Sequence, residues 1–269
     1  MLHGIDVSHY QKNISWKQVN NAGYSFAILK AMYESNHKPD EYFEKNYKGC
    51  KENGLFPGVY DFVGSKNIEN PEKDAKDLLA ILGSRPLPMG IWIDCESDSL
   101  QAIGKQKITE LIETEARIFK EAGYAVGIYC NLSWYNNVLD GKGLSKKYPF
   151  WIARYPSNDV GQPVEKLNPK SFAQAWQYSS KGKVPGINGN VDMDYFYIST
   201  SDLSKYSKPQ VVDTLGVKTI TANSLNIREK SSATSKSLGI LKKDSSVTID
   251  KIENGFAHFE GWISTKYLQ

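Results

Sequence analysis

Four acidic residues stand where short apolar runs meet polar chain. In Gly90-Ile91-Trp92-Ile93-Asp94-Cys95-Glu96 an apolar run feeds two acids spaced two apart. Such a run reads as a parallel strand buried on both faces that ends in a polar site. Residues two apart on a strand share a face, about 6.6 Å apart along the chain. Asp94 and Glu96 are therefore expected to project together, with Cys95 turned the other way. Asp6 ends the run Gly4-Ile5-Asp6, and Asp192 lies in Asn190-Val191-Asp192-Met193-Asp194. Carboxyls gathered at one place raise one another's pKa, so that one stays protonated near neutral pH and serves as a general acid. Taken singly, Asp6 or Asp192 is equally well explained as a cap on a helix or turn.

Other chemistries lack their residues. His3, His9, His37 and His258 show no HExxH and no ligand spacing, so no metal site is expected. Cys50, Cys95 and Cys130 are odd in number, widely spaced and without a CxxC pair, which reads as buried thiols rather than a disulfide framework. No GxSxG elbow occurs.

The acids need elements to hold them. Strands are expected at Gly4–Val7, Phe26–Lys30, Gly58–Phe62, Gly90–Glu96, Ala125–Tyr129, Phe150–Ala153, Phe172–Gln177 and Val191–Tyr197. Most are separated by helical patterns, which points to a (β/α) barrel with its functional groups at the C-terminal ends of the strands. Ser15 with Gln18 predicts a capping box for a helix over Trp16–Ala22. Asn70-Pro71 opens a second helix that Gly83 ends. A third runs from about Lys107 to Ala122, with Ile108, Leu111, Ile112, Ala116 and Phe119 as its buried stripe and Gly123 as its stop. Residues 155–190 are rich in Pro, Gly and Asn, so the last strands are expected to be joined by loops, leaving the barrel irregular.

Residues 201–216 read as a polar linker. Beyond it the period becomes alternating, in Leu225-Asn226-Ile227-Arg228 and Val247-Thr248-Ile249-Asp250. Asn254-Gly255 and Glu260-Gly261 are hairpin signals, and strands with tight turns and no helix predict a small all-β barrel over 217–269. The length of 269 residues suits one large domain and one small one. With 40% hydrophobic and 23% charged residues the chain is globular rather than disordered. A net charge of +3 demands no nucleic acid, and residues 201–269, with ten Lys and Arg against seven Asp and Glu, carry all of it. That excess hints at an anionic surface as partner of the tail. No stretch reaches the roughly 20 apolar residues of a membrane span, and the start Met1-Leu2-His3-Gly4 lacks a secretory pattern, so cytoplasmic synthesis is expected.

These residues together resemble a family. Gly4-Ile5-Asp6-Val7-Ser8, Ile28-Leu29-Lys30, Gly58-Val59-Tyr60-Asp61-Phe62, Ile93-Asp94-Cys95-Glu96, Trp151-Ile152-Ala153-Arg154-Tyr155, Ala175-Trp176-Gln177-Tyr178 and Val191-Asp192 follow the order found in glycoside hydrolase family 25, the Chalaropsis-type lysozymes. The resemblance spans residues 1–200. It implies a TIM-like irregular (β/α) barrel that cuts the β-1,4 bond after N-acetylmuramic acid in peptidoglycan, without cofactor or metal. Glu96 matches the proton donor, and Asp94 the partner that orients the acetamido group or acts at the anomeric carbon. Asp6 and Asp192 match the two remaining acids, and Tyr60, Tyr129, Trp151, Trp176 and Tyr178 would line the sugar groove. The chain departs from the family after Lys30, where Ala31-Met32-Tyr33-Glu34-Ser35 replaces the common small residue, Ser or Thr, Glu and Gly. It departs again at Asp61, where a His is common.

Ser224-Leu225-Asn226-Ile227-Arg228, Leu238-Gly239-Ile240-Leu241-Lys242 and Gly261-Trp262-Ile263-Ser264-Thr265-Lys266-Tyr267-Leu268 resemble bacterial SH3-like wall-binding domains. That resemblance implies a grip on peptidoglycan peptides or cross-bridges through Asn226, Arg228, Trp262 and Tyr267. The layout is similar to a phage endolysin, released to the wall by a separate membrane-permeabilising protein; a bacterial autolysin and a catalytically silent wall-binding protein are the alternatives.

Overall fold

The computed structural model describes residues 1–207, 216–249, 251–253, 256–259 and 262–264. The chain divides into two compact units, Met1–Pro209 and Gln210–Gln269.

In the first unit eight strands close a barrel in sequence order: β1 Leu2–Val7, β2 Phe26–Lys30, β3 Phe56–Phe62, β4 Ile91–Asp94, β5 Val126–Asn131, β6 Phe150–Ala153, β7 Ala175–Gly182 and β8 Val191–Phe196. The helices are α1 Trp16–Asn21, α2 Phe43–Glu52, α3 Ser65–Glu69, α4 Pro71–Leu82, α5 Asp98–Ala102, α6 Lys105–Glu121, α7 Gly141–Leu144 and α8 Thr200–Leu203. Neighbours from β1 to β7 run parallel, but β8 is antiparallel to both β7 and β1. A parallel crossover needs a dozen residues or more. Only residues 183–190 join β7 to β8, so the chain must turn straight back.

Alternation along the strands sorts side chains into two layers. Ile5, Leu29, Val59, Ile93, Ile128, Ile152 and Trp176 face the helices, whereas Phe26, Ile28, Trp92, Tyr129, Trp151 and Phe196 fill the barrel. The interior rings meet edge to face or tilted, Trp92 to Trp151 at 5.8 Å, Trp92 to Phe196 at 5.1 Å and Tyr129 to Trp151 at 4.5 Å. The barrel is thus a packed plug.

Several local expectations are corrected. Ser15 makes no side-chain cap; its N–H donates instead to Gly186 O at 2.9 Å, tying α1 to the β7–β8 loop. β7 begins at Ala175 rather than Phe172, because the N–H groups of Phe172 and Ala173 both donate to Pro169 O and close a tight turn there. β4 ends at Asp94, so Glu96 sits on the loop that leads into α5. The segment expected as linker starts as structure: α8 places Leu203, 1% exposed, against the interior cluster. By contrast, α4 starts as its sequence predicts, Asn70 Oδ1 accepting from Lys73 N–H at 3.0 Å, with Gly83 at φ +58° as its stop.

In the second unit a five-stranded sheet has the order β11 Ser237–Lys242, β10 Ser224–Arg228, β15 Trp262–Ser264, β14 Phe256–His258, β13 Lys251–Glu253, and β12 Ser246–Ile249 pairs with β9 Gly216–Thr219. Glu253 pairs with Phe256 and His258 with Trp262, antiparallel in both cases. The turn residues themselves, Asn254-Gly255 and Glu260-Gly261, lie outside the described residues. Ile220, Leu225, Val247, Ile249 and Ala257 form a small core. Among the described residues no helix is long and apolar enough to cross a membrane.

Candidate active site

The mouth of the barrel opens into a cavity of about 320 Å³ whose lining includes Asp6, Asp94, Glu96 and Asp192 together with Lys30, Tyr60, Tyr129, Trp151, Tyr155 and Gln177. Parallel β1 and β4 bring Asp6 and Asp94 there at their C-terminal ends. Asp192 comes from the start of β8, which reaches the same rim because β8 is reversed, and its Cα is paired with that of Asp6. Asp94 is 6% exposed and Asp6 9%, whereas Glu96 is exposed at the lip.

Hydrogen bonds fix Asp6. Gln177 Nε2 donates to Asp6 Oδ2 at 2.9 Å, and the Tyr129 hydroxyl donates to Gln177 Oε1 at 2.9 Å. One step deeper on β8, Asp194 is fully buried and its Oδ1 accepts from Trp151 Nε1 at 3.0 Å. Burial, then the charges of Asp6 and Asp192, hold the Asp194 carboxyl well above the usual range. Lys30 Nζ pairs with Glu34 Oε2 at 3.0 Å beside the cavity.

All four rim acids are weaker than free carboxylic acids. Burial, followed by the charges of Glu96 and Asp6, raises Asp94 well above its ordinary value, with Lys30 opposing. Asp6 is pushed up to about 6, chiefly by burial, with the Gln177 hydrogen bond opposing. Asp192 is pushed up to about 8 by burial and the charges of Asp6 and Glu96. Glu96, although its side chain meets solvent, is walled by the groove, and that desolvation raises it too. A site of this kind holds a protonated carboxyl and an ionised one side by side at neutral pH, the equipment of general acid catalysis.

The aromatic residues divide. Tyr60, Tyr129 and Trp151 line the cavity, Trp151 as floor at 2% exposure. Trp176 and Tyr178 do not, since on β7 they alternate with the inward Ala175 and Gln177. Trp176 Nε1 donates to Arg154 O at 2.7 Å in the helix layer, and Tyr178 stacks on Tyr195 with its hydroxyl 2.8 Å from His3 Nε2 on the outer face. Gln177, Lys30, Tyr155 and Asp194 are site residues that sequence reading missed; the spacing of Asp192 and Asp194, two apart like Asp94 and Glu96, was a usable signal. Asp61 points away from the groove, so its departure from the common His does not reach the mouth. In the second unit Asn226 is exposed on β10, accepting from Ser237 Oγ at 3.3 Å, and Arg228 Nη1 donates to Ser235 O at 2.9 Å. Trp262 lies on β15 with its side chain outside the described residues, as is the whole of Tyr267.

Comparison with known proteins bears on this arrangement. Lysozyme M1 of Streptomyces globisporus is 33% identical over 216 residues, 75% of this chain and 70% of that one. The crystal structure of the bacterial lysozyme from Streptomyces coelicolor superposes with a TM-score of 0.62 at 28% identity, over 77% of this chain and 96% of that one. The CTP1L endolysin structure does so with a TM-score of 0.62 at 27% identity, over 76% and 70% of the two chains. The model for glycosyl hydrolases family 25 matches residues 5–187, the stretch that carries Asp6, Asp94 and Glu96. With the match running through seven of the eight barrel strands, the chain belongs to glycosyl hydrolases family 25 and is a glycoside hydrolase.

Proposed function

We propose that the protein is an N-acetylmuramidase, hydrolysing the β-1,4 bond between N-acetylmuramic acid and N-acetylglucosamine in peptidoglycan. The observation that carries this reading is the gathering of Asp6, Asp94, Glu96 and Asp192 around one open groove with weakened acidity. Glu96, at the solvent-facing lip, gives its proton to the leaving oxygen. The substrate's 2-acetamido oxygen bonds to the anomeric carbon as the glycosidic bond breaks, and Asp94 stabilises the positive charge that results. Water then attacks the anomeric carbon and returns a proton to Glu96, giving net retention. Asp6 and Asp192 position these groups and tune their protonation. Tyr60 and the exposed Tyr155 offer rings for sugar stacking.

The second unit, in this reading, is an SH3-like wall-binding domain that uses Asn226, Arg228, Trp262 and Tyr267 and raises the enzyme's effective concentration on its polymer. The whole is a phage endolysin, supported by the likeness to the CTP1L endolysin; a bacterial autolysin is the alternative. Mass spectrometry of digested, borohydride-reduced peptidoglycan tests the bond assignment. Reduced muramic acid ends are expected, whereas reduced glucosamine ends or new free amino groups would overturn it. Early-time NMR of the product anomer tests retention.

A further inference from the structure

A second set of carboxyls lies in the helix layer, on the far side of β3 from the groove. Asp61 follows Tyr60 on β3 and turns outward; Asp74 comes from α4 and Glu115 from the buried stripe of α6. One oxygen from each lies within 4.8 Å of the others, and the three residues are 3%, 0% and 0% exposed. Such groups almost never lose their water unless they are paired or coordinate a metal.

Their pairing is incomplete. Asn67 Nδ2 donates to Asp74 Oδ2 at 2.6 Å and to Glu115 Oε1 at 3.4 Å, and Gly64 N–H holds Asn67 in place through its Oδ1 at 2.9 Å. The remaining oxygens, Asp61 Oδ2, Asp74 Oδ1 and Glu115 Oε2, are buried without a hydrogen-bond donor. His37 Nε2 stands 3.0 Å from Asp74 Oδ1, though not in hydrogen-bonding geometry, while its Nδ1 meets Asp77 Oδ2 at 2.6 Å. His37 is held there at φ +55°, a left-handed conformation rare for a residue with a side chain. Its outer side lines a surface pocket of about 260 Å³ with Asn36, Lys66, Glu69, Asn70 and Lys73. His37 thus lines this pocket on one side and reaches Asp74 of the cluster on the other.

We propose that Asp61, Asp74 and Glu115 form a structural binding site for a hard divalent cation of calcium size, closed by His37. Three carboxylate oxygens from three elements, all within 4.8 Å of one another, are hard donors of the kind calcium takes at about 2.3–2.6 Å. A proton shared between Asp61 and Asp74 is the competing way to neutralise the cluster. It satisfies one pair and leaves Glu115 Oε2 without a partner, whereas a central cation touches all three oxygens. The ion would tie β3, which carries Tyr60 into the groove, to α4 and α6.

The test uses the full chain, freed of metal by chelator and dialysed. Thermal unfolding is followed with 1 mM CaCl2, 1 mM MgCl2 or neither, and bound metal is counted by plasma mass spectrometry after gel filtration. For a dissociation constant near 10 μM, calcium is expected to raise Tm by about 5 °C and to co-elute at about one ion per chain. Glu115→Gln and Asp61→Asn each remove one buried charge and are expected to fold without calcium while losing the Tm response. Absence of any calcium shift in the parent protein, a shift that persists in both variants, or a larger response to magnesium would overturn the proposal. A variant that does not fold leaves the parent's shift and stoichiometry to decide.

Discussion

Replacing Gln177 by Met tests the link between the hydrogen-bond chain and the acidity of the groove. Gln177 is 5% exposed and joins the Tyr129 hydroxyl to Asp6 Oδ2. Met fills a similar volume but donates nothing. A hydrogen bond to an ionised partner contributes about 1.5–3 kcal/mol. At 1.36 kcal/mol per pKa unit its loss raises Asp6 from about 6 to roughly 7–8. Asp6 is already above its ordinary 3.8, so the folded state binds the extra proton, and stability falls as pH rises from 3.8 through the folded pKa. In the variant that window extends upward. At pH 5 Asp6 is largely protonated in both folded proteins, so only the stranded Tyr129 hydroxyl counts, about 1–3 kcal/mol. At pH 8 Asp6 is ionised in the parent, and the variant loses a further amount on the order of 1–2 kcal/mol. Contributions from Asp192 and Glu96 are common to both proteins and cancel in the difference. Urea unfolding at the two pH values, followed by tryptophan fluorescence, measures it, since five of the six Trp residues lie in the barrel unit. A loss of equal size at pH 5 and pH 8 would refute the reasoning.

Further expectations concern single groups. Glu96→Gln should lower the rate of wall lysis by at least about 10²-fold while Tm does not fall, because the side chain is exposed and its charge repels Asp94 and Asp192; turbidity clearance and differential scanning fluorimetry read the two. Asp192→Asn should become progressively more stable than the parent from about pH 4 upward and level off above about pH 8, where Asp192 finally ionises; an advantage that shrinks with rising pH would count against the assignment. Cys50, Cys95 and Cys130 are buried free thiols, Cys50 pushed up to about 12 and the other two well above their usual value by burial. A disulfide reagent at pH 8 should therefore label them within minutes only after guanidinium is added.

The parts of the site legible in the sequence were those where polarity breaks an apolar run. Asp6, Asp94 and Glu96 stand out against Ile5, Ile93 and Trp92, and strand ends in a barrel are where such breaks belong. Trp176 and Tyr178 show the limit of that method. On β7 both faces are buried, so Ala175 and Gln177 on one face and Trp176 and Tyr178 on the other carry no polarity contrast that says which side looks inward. Glu115 was hidden for a related reason, because it sits within the apolar stripe of α6 and reads there as an ordinary solvent-facing position. Its environment is supplied by Asp61 and Asp74, residues 54 and 41 positions earlier, and no local pattern encodes that meeting.

Asp192 teaches something different, because closing the barrel makes β8 a neighbour of β1, the strand that carries Asp6. Adjacency is not enough. In a parallel β8 the residue at the start of the strand would lie at the bottom of the barrel, and Phe196, four residues on and about 13 Å away, would occupy the mouth. The short connection at 183–190 prevents this by forcing a hairpin, and the hairpin sets Asp192 against Asp6 and Asp194 against Gly4. Gly4 leaves room for the Phe26 ring of the plug: a Cβ at that position would stand 2.5 Å from it. Reversal of one strand therefore does three things together. It delivers a fourth acid to the rim, it buries Asp194 one step below, where it accepts from Trp151 Nε1, and it sets Phe196 among the rings that close the barrel beneath them. The low polarity of that aromatic plug is in turn what keeps the acids above it weak, so the loop that turns the chain back also sets the acid strength of the groove.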